Sequence, residues 1–125
     1  MTAPGKILVV DDDRDILESI TMILTSAGYE VLSAVSGETC RDVLVTQHPD
    51  MIILDIMMDT MTEGISLGME LKSDPESMNI PVIIVSSIEK YTGFPIDRDY
   101  LKVDECLEKP LQPKILLDTV KKYLK

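Results

Sequence analysis

The chain is 125 residues long, 45% hydrophobic and 27% charged, and carries a formal net charge of −10. That length suits one globular domain and leaves no room for a second core. The acidic excess opposes direct contact with nucleic-acid phosphates or anionic membranes and favours a cation or metal instead.

A single Phe, four Tyr and no Trp make the expected core aliphatic and rich in Met. The first apolar run, Ile7 to Val10, is too short for a signal-peptide core or a membrane span, so a cytoplasmic protein without membrane insertion is expected. Cys40 and Cys106 lack metal-ligand spacing and read as buried thiols of a reducing compartment.

The first predicted strand, Lys6 to Asp11, runs into Asp11-Asp12-Asp13. Adjacent like charges repel by roughly 3 kcal/mol per pair at ~5 Å and an effective dielectric of ~20. A hard divalent cation such as Mg²⁺ (or Mn²⁺) relieves that repulsion. Asp13 is placed to N-cap a helix in which Ile16, Ile20, Ile23, Leu24 and Ala27 recur at helical spacing, with Gly28 as the stop signal. The metal reading therefore rests on Asp11 and Asp12.

A second strand, Glu30 to Ala34, leads to Ser36 as N-cap and a helix from about Gly37 to Gln47 with Cys40, Val43 and Leu44 inward. His48-Pro49-Asp50 ends it, and the lone His48 reads as a surface helix end. Met51 to Leu54 is a continuous apolar run closing on Asp55, the pattern of a central strand buried on both faces. A loop from Met57 to Glu63, a helix from Gly64 to Lys72 weakened by Gly68, and a loop at Pro75 come next.

Pro81 introduces a fourth strand, Val82 to Val85, closed by Ser86 and Ser87. Between Glu89 and Asp104, Gly93 and Pro95 break any helix begun at Ile88, so a short or irregular helix is expected there. The fifth strand is Glu105 to Glu108, followed by Lys109-Pro110. Pro113 then opens a last helix with an apolar stripe of Leu116, Val120, Tyr123 and Leu124, and of the basic residues Lys114, Lys121, Lys122 and Lys125 along it those near its end complement its dipole.

Strands alternating with helical segments predict a parallel sheet built from βαβ units. Ligands of such sheets bind outside the carboxyl ends of the strands. Asp11 and Asp12, Asp55, Ser86 and Lys109 all stand at such ends. The set fits phosphoryl chemistry: Asp55 as a nucleophile, the three aspartates as holders of Mg²⁺, and Lys109 and the Ser86 hydroxyl as contacts for the remaining phosphoryl oxygens.

Four segments carry a resemblance: VVDDD at 9–13, MIILD at 51–55, PVIIVSS at 81–87 and ECLEKPL at 105–111. Over nearly its whole length the chain resembles the receiver domain of two-component response regulators. The resemblance implies a flavodoxin-like, doubly wound α/β fold with five parallel strands in the order 2-1-3-4-5 and helices on both faces. It implies one receiver domain over residues 1–125, ordered from about 5 to 124, without an output domain.

By the same resemblance Asp55 is the phospho-acceptor, Asp11 and Asp12 are the acidic metal pair, and the main-chain carbonyl of Met57 is a further metal ligand. Ser86 is the switch hydroxyl and Lys109 the phosphoryl-binding lysine. The implied partners are a histidine kinase or phosphotransfer protein and a downstream protein. Such a chain is a receiver that assists its own phosphorylation and dephosphorylation, not an enzyme in the ordinary sense. A receiver fragment of a larger regulator or hybrid kinase would read the same way. An aspartyl-nucleophile, Mg²⁺-dependent phosphohydrolase fits less well, since its nucleophile ends the first strand in a D-x-D pattern, which Asp55 and Asp59 do not reproduce.

Several positions depart from the family pattern. The Pro usual soon after Asp55 is absent, Gly64 stands nine positions beyond it where eight is usual, and Ser87 replaces a frequent Ala. The usual Gly-Ala before the fifth strand is missing. Cys106 occupies a position that is often aromatic, so a switch coupling Ser86 to a rotating ring is not expected. Met57 and Ile88 flank the acceptor and the hydroxyl with apolar bulk, which predicts restricted access of water and slow dephosphorylation.

Overall fold

Side-chain alternation along the strands decides which of two cores each residue enters. The computed structural model describes residues 5–55, 61–86, 103–108 and 111–124, and of residues 61–65 and 86 the backbone alone. Five strands, β1 (Lys6–Val10), β2 (Glu30–Ala34), β3 (Met51–Asp55), β4 (Val82–Ser86) and β5 (Glu105–Glu108), form one parallel sheet in the order β2-β1-β3-β4-β5. The expected order is therefore the observed one.

Ile7, Val9, Met51, Ile53, Ile83 and Val85 point to one face, and Leu8, Val10, Ile52, Leu54, Val82 and Ile84 to the other. Helices α1 (Arg14–Ser26) and α4 (Pro113–Tyr123) cover the first face through Leu17, Ile20, Leu24, Leu116 and Val120. Helices α2 (Gly37–Gln47) and α3 (Met61–Ser73) cover the second through Cys40, Leu67 and Leu71. A sheet covered on both sides explains why β1, β3 and β4 read as unbroken apolar runs.

The local signals for both predicted caps act as expected. The Asp13 carboxylate accepts from the N–H groups of Asp15 (2.9 Å) and Ile16 (3.4 Å), and the Ser36 hydroxyl accepts from Thr39 N–H (3.2 Å). His48 caps α2 in the left-handed region, at φ 49°, on the exposed surface.

The differences lie at element edges and in the depth of single residues. Strand β1 stops at Val10, because Asp11 keeps one ladder bond, its N–H to Ala34 O at 3.0 Å, and then enters a turn. Strand β4 runs one residue further than expected and pairs Ser86 with Glu108. Helix α3 begins at Met61, so part of the expected Met57 to Glu63 loop is helical. Nothing in Met61-Thr62-Glu63 breaks a helix, and Gly64 weakens one by only about 1 kcal/mol relative to Ala. In α1 the deepest residues include Leu17, while Ile16 and Ile23 are partly buried. The expected helix of residues 89–104 lies, up to residue 102, outside the described residues, as does Lys125.

The cysteines part company. Cys40 is fully buried, but Cys106 is half-buried, since β5 is an edge strand with cover on fewer sides. Burial pushes the Cys40 thiol up to about 12 from its ordinary 9.0. The unfolded chain then loses this proton first, so the associated stability is complete below about pH 9 and is lost as the pH rises toward 12. A thiol reagent near neutral pH is expected to label Cys106 and to reach Cys40 only after urea unfolding. Equal labelling rates in the folded protein would contradict this.

At the amino edge of the sheet a polar clasp joins three elements. Asp104 Oδ2 accepts from Lys72 Nζ at 2.9 Å and from Val82 N–H at 2.8 Å, and Lys72 Nζ also donates to Ile80 O at 3.2 Å. Tyr123 at the end of α4 donates to Asp104 O and Glu105 Oε2, both at 2.8 Å. Among the described residues no helix is long and apolar enough to cross a membrane.

Candidate metal centre

The carboxyl ends of β1 and β3 lie side by side, because the register pairs Val10 with Leu54. The residues that follow them, Asp11 and Asp55, are thereby brought to one edge of the sheet. Asp11 is 1% exposed and Asp55 4%, while Asp12 is exposed. One carboxylate oxygen from each lies within 4.8 Å of the others. The three thus form a small acidic cup, with two walls buried and one open to solvent.

Asp11 is held at both ends of its residue. Its N–H donates to Ala34 O, and its Oδ1 accepts the N–H of Asp13 at 2.9 Å. That second bond closes an Asx turn. The Asp13 carboxylate meanwhile turns away to cap α1, where the positive end of the helix offsets its charge. Main-chain geometry therefore sends the Asp13 carboxylate to the helix and leaves those of Asp11 and Asp12 beside Asp55.

Three carboxylates this close repel one another by roughly 3 kcal/mol per pair at about 5 Å and an effective dielectric of about 20, before any counter-charge is added. Oxygen donors of one kind, clustered and charged, match a hard divalent cation better than a soft one. The residues present thus fit Mg²⁺.

Ser86 ends β4, one residue beyond Val85, the register partner of Asp55. Its backbone is therefore at the same sheet edge as the cup. Cys106 sits on β5 opposite Ile84 and packs against the α2 and α3 side of the core. Lys109, Met57 and Ile88 lie outside the described residues. The bond from Asp13 N–H to Asp11 is a feature that sequence reasoning passed over, although the i, i+2 spacing of two aspartates was its available signal.

The family model described as the response regulator receiver domain matches residues 7–121. The chain is 34% identical over 123 residues to the phosphate regulon transcriptional regulatory protein PhoB of Pseudomonas aeruginosa, covering 95% of this chain and 51% of that one. It is similar in structure to the signal receiver domain of a signal transduction histidine kinase from Syntrophus aciditrophicus, with TM-score 0.81, 30% identity, and 96% and 89% of the two chains covered. The chemotaxis response regulator CheY4 of Vibrio cholerae matches with TM-score 0.79, 27% identity, and 96% and 98% covered.

The chain spans about half the length of the first curated relatives it matches. The family match runs from the second residue of β1 to the last turn of α4 and so takes in the sheet, both helical layers and the acidic cup. The chain therefore belongs to the response regulator receiver domains of two-component signalling.

Proposed function

We propose that this receiver takes a phosphoryl group onto Asp55 from the phosphohistidine of a histidine kinase or phosphotransfer protein, and signals onward through contacts with a downstream protein. The observation that carries the reading is the meeting of Asp11, Asp12 and Asp55, from two strands, with donor oxygens within 4.8 Å of one another. One Asp55 oxygen forms a bond to phosphorus as the P–N bond of the donor breaks, and the imidazole leaves with the bonding electrons. Mg²⁺ (or Mn²⁺), when bound, neutralises phosphoryl oxygens so that an anionic nucleophile can approach an anionic donor.

Asp11 and Asp12 hold that cation together with Asp55, and the main-chain carbonyl of Met57 is the proposed further ligand. The Ser86 hydroxyl and the Lys109 ammonium take the remaining phosphoryl oxygens. With Cys106 in place of a ring, the change at Ser86 is transmitted without aromatic rotation. Met57 and Ile88 hinder the water that would hydrolyse the acyl phosphate.

Incubation with Mg²⁺ and acetyl phosphate is expected to add one phosphoryl group to the wild-type mass and none to Asp55→Asn. Equal labelling of the variant, or an unlabelled wild type, sinks the reading, and turnover of many phosphate esters would favour a hydrolase. After donor removal at neutral pH the label is expected to persist for minutes or longer. Decay within seconds would count against the water-exclusion part alone.

A second reading is that the same receiver works inside a longer regulator or hybrid kinase. It is favoured by the 51% coverage of the Pseudomonas relative. Both readings use one site, and the mass of the native polypeptide in its own cells separates them.

A further inference from the structure

The edge of the molecule opposite the acidic cup carries a groove of ≈ 760 Å³ between α2 and α3. Its apolar surface comes from Leu44 and Val45 on α2, Pro49 in the following turn, Leu71 on α3 and Ile80 before β4. Leu71 is 2% exposed and forms part of the floor, whereas Val45 on the rim is 68% exposed, more than any other large hydrophobic residue among those described.

The walls are braced before anything binds. Arg41 on α2 donates to both carboxylate oxygens of Glu70 on α3, at 2.6 and 2.9 Å, and so ties the two helices together. The Ser77 hydroxyl donates to Leu71 O at 2.6 Å, and Glu76 N–H donates to Asp74 Oδ1 at 2.9 Å, which fixes the loop that closes one end. A preformed groove of this size spares a ligand the cost of ordering the site.

Charge selects the occupant. Arg41 and Glu70 offset each other, and the remaining carboxylates on the rim, Asp74 and Glu76, are exposed and engaged in no ion pair among the described residues. On a chain of net charge −10, this rim repels a second copy, a nucleic acid and an anionic membrane alike. It complements lysine or arginine flanking an apolar stripe.

We propose that the groove between α2 and α3 is a docking surface for a basic amphipathic helix of a partner protein, whose aliphatic side chains enter the groove while its cations meet Asp74 and Glu76. Pro49 on the groove stands six positions before Asp55, a span of roughly 20 Å for extended chain along β3. The groove shares no residue with the acidic cup, and in this proposal it serves as a standing tether, occupied with or without phosphorylation. The partner chemistry goes beyond the phosphorylation reading and does not depend on it.

The test uses a fluorescent peptide of about 18 residues, with Leu on one helical face and Lys on the other, at about 0.15 M salt without Mg²⁺ or phosphodonor. Saturable binding is expected, with amide shifts confined to α2, the turn at His48, the second half of α3 and the loop from Asp74 to Ile80. Val45→Lys combined with Glu76→Lys is expected to weaken binding roughly tenfold. Met22→Lys combined with Glu18→Lys makes the same change in net charge on exposed positions of α1 and is expected to weaken it less than about twofold.

Equal weakening by the two pairs would mean that the peptide follows net charge, and would overturn the proposal. So would absence of saturable binding, or a concentration-dependent dimer abolished by the groove variant. Binding to Asp55→Asn is expected to equal that of wild type, which keeps a failure here distinct from a failure of the phosphorylation reading.

Discussion

Asp11→Asn is expected to remove most Mg²⁺ binding and yet to leave the metal-free protein more stable than wild type. Asparagine keeps the Oδ1 that accepts the Asp13 N–H, so the Asx turn survives. What disappears is one charge from a cluster whose donor oxygens lie within 4.8 Å of one another. Relief of repulsion at this near-buried position is expected to raise stability by about 1 kcal/mol. Loss of a charged oxygen ligand is expected to weaken the cation roughly tenfold or more.

Urea unfolding with and without Mg²⁺ reads both effects at once. A ligand at a hundred times its dissociation constant stabilises the folded state by about 2.7 kcal/mol, so the wild-type midpoint rises with Mg²⁺, and a variant that binds tenfold or more weakly gains about half of that or less. A variant that is less stable without metal, or that shows the wild-type response to Mg²⁺, would refute the account of the cup. Asp12→Asn is expected to change the metal-free stability less, because Asp12 is exposed and its charge is better screened.

The success of the sequence in announcing this cup has a physical basis. A strand buried on both faces admits no charge along its length, so an aspartate directly after Ile7 to Val10 or Met51 to Leu54 marks where the sheet meets solvent. Once the alternation of strands and helices implied a parallel sheet, those ends had to share an edge. The capping by Asp13 was legible too, since it requires only the right residue before a helical pattern.

Depth along the helices was less legible. The spacing of Ile16, Ile20 and Ile23 describes an apolar stripe, but the rotation that seats Leu17 against the sheet is set by the docking of α1, and periodicity leaves that angle open. Cys106 misled for a similar reason: its apolar neighbours suggested burial, while its strand lies at the sheet edge. The start of α3 escaped because glycine at position 64 resembles a boundary, and only tertiary packing decides whether a helix runs through it.

Asp104 illustrates what sequence reasoning loses when a residue stands in a segment read as irregular. Its carboxylate is the shared acceptor of Lys72 Nζ and the main-chain N–H of Val82, and its own N–H donates to Val82 O at 3.0 Å. Lys72 is 12% exposed in its side chain, so its ammonium depends on partners within the protein. Asp104→Ala would leave that ammonium with Ile80 O as its remaining acceptor among the described residues, and would take the side-chain acceptor from the N–H of Val82, a fully buried residue at the start of β4. An expected loss of about 2 kcal/mol follows, between the values for exposed and fully buried pairs, because the contact is part-buried.

Asp104→Asn separates the two contributions, since an amide oxygen still accepts from Val82 and only the charge is gone. It is expected to cost about half as much. Lys72→Met removes the ammonium instead of its partner, fills the same space with apolar atoms and is expected to cost less than about 1.5 kcal/mol. The double variant Lys72→Met with Asp104→Ala should then lie well below the sum of the two singles, because the buried charge that made the second change costly is absent. Urea midpoints of the four proteins decide the matter. Additive losses would show that Lys72 and Asp104 act independently, and the clasp across the amino edge of the sheet would have to be abandoned.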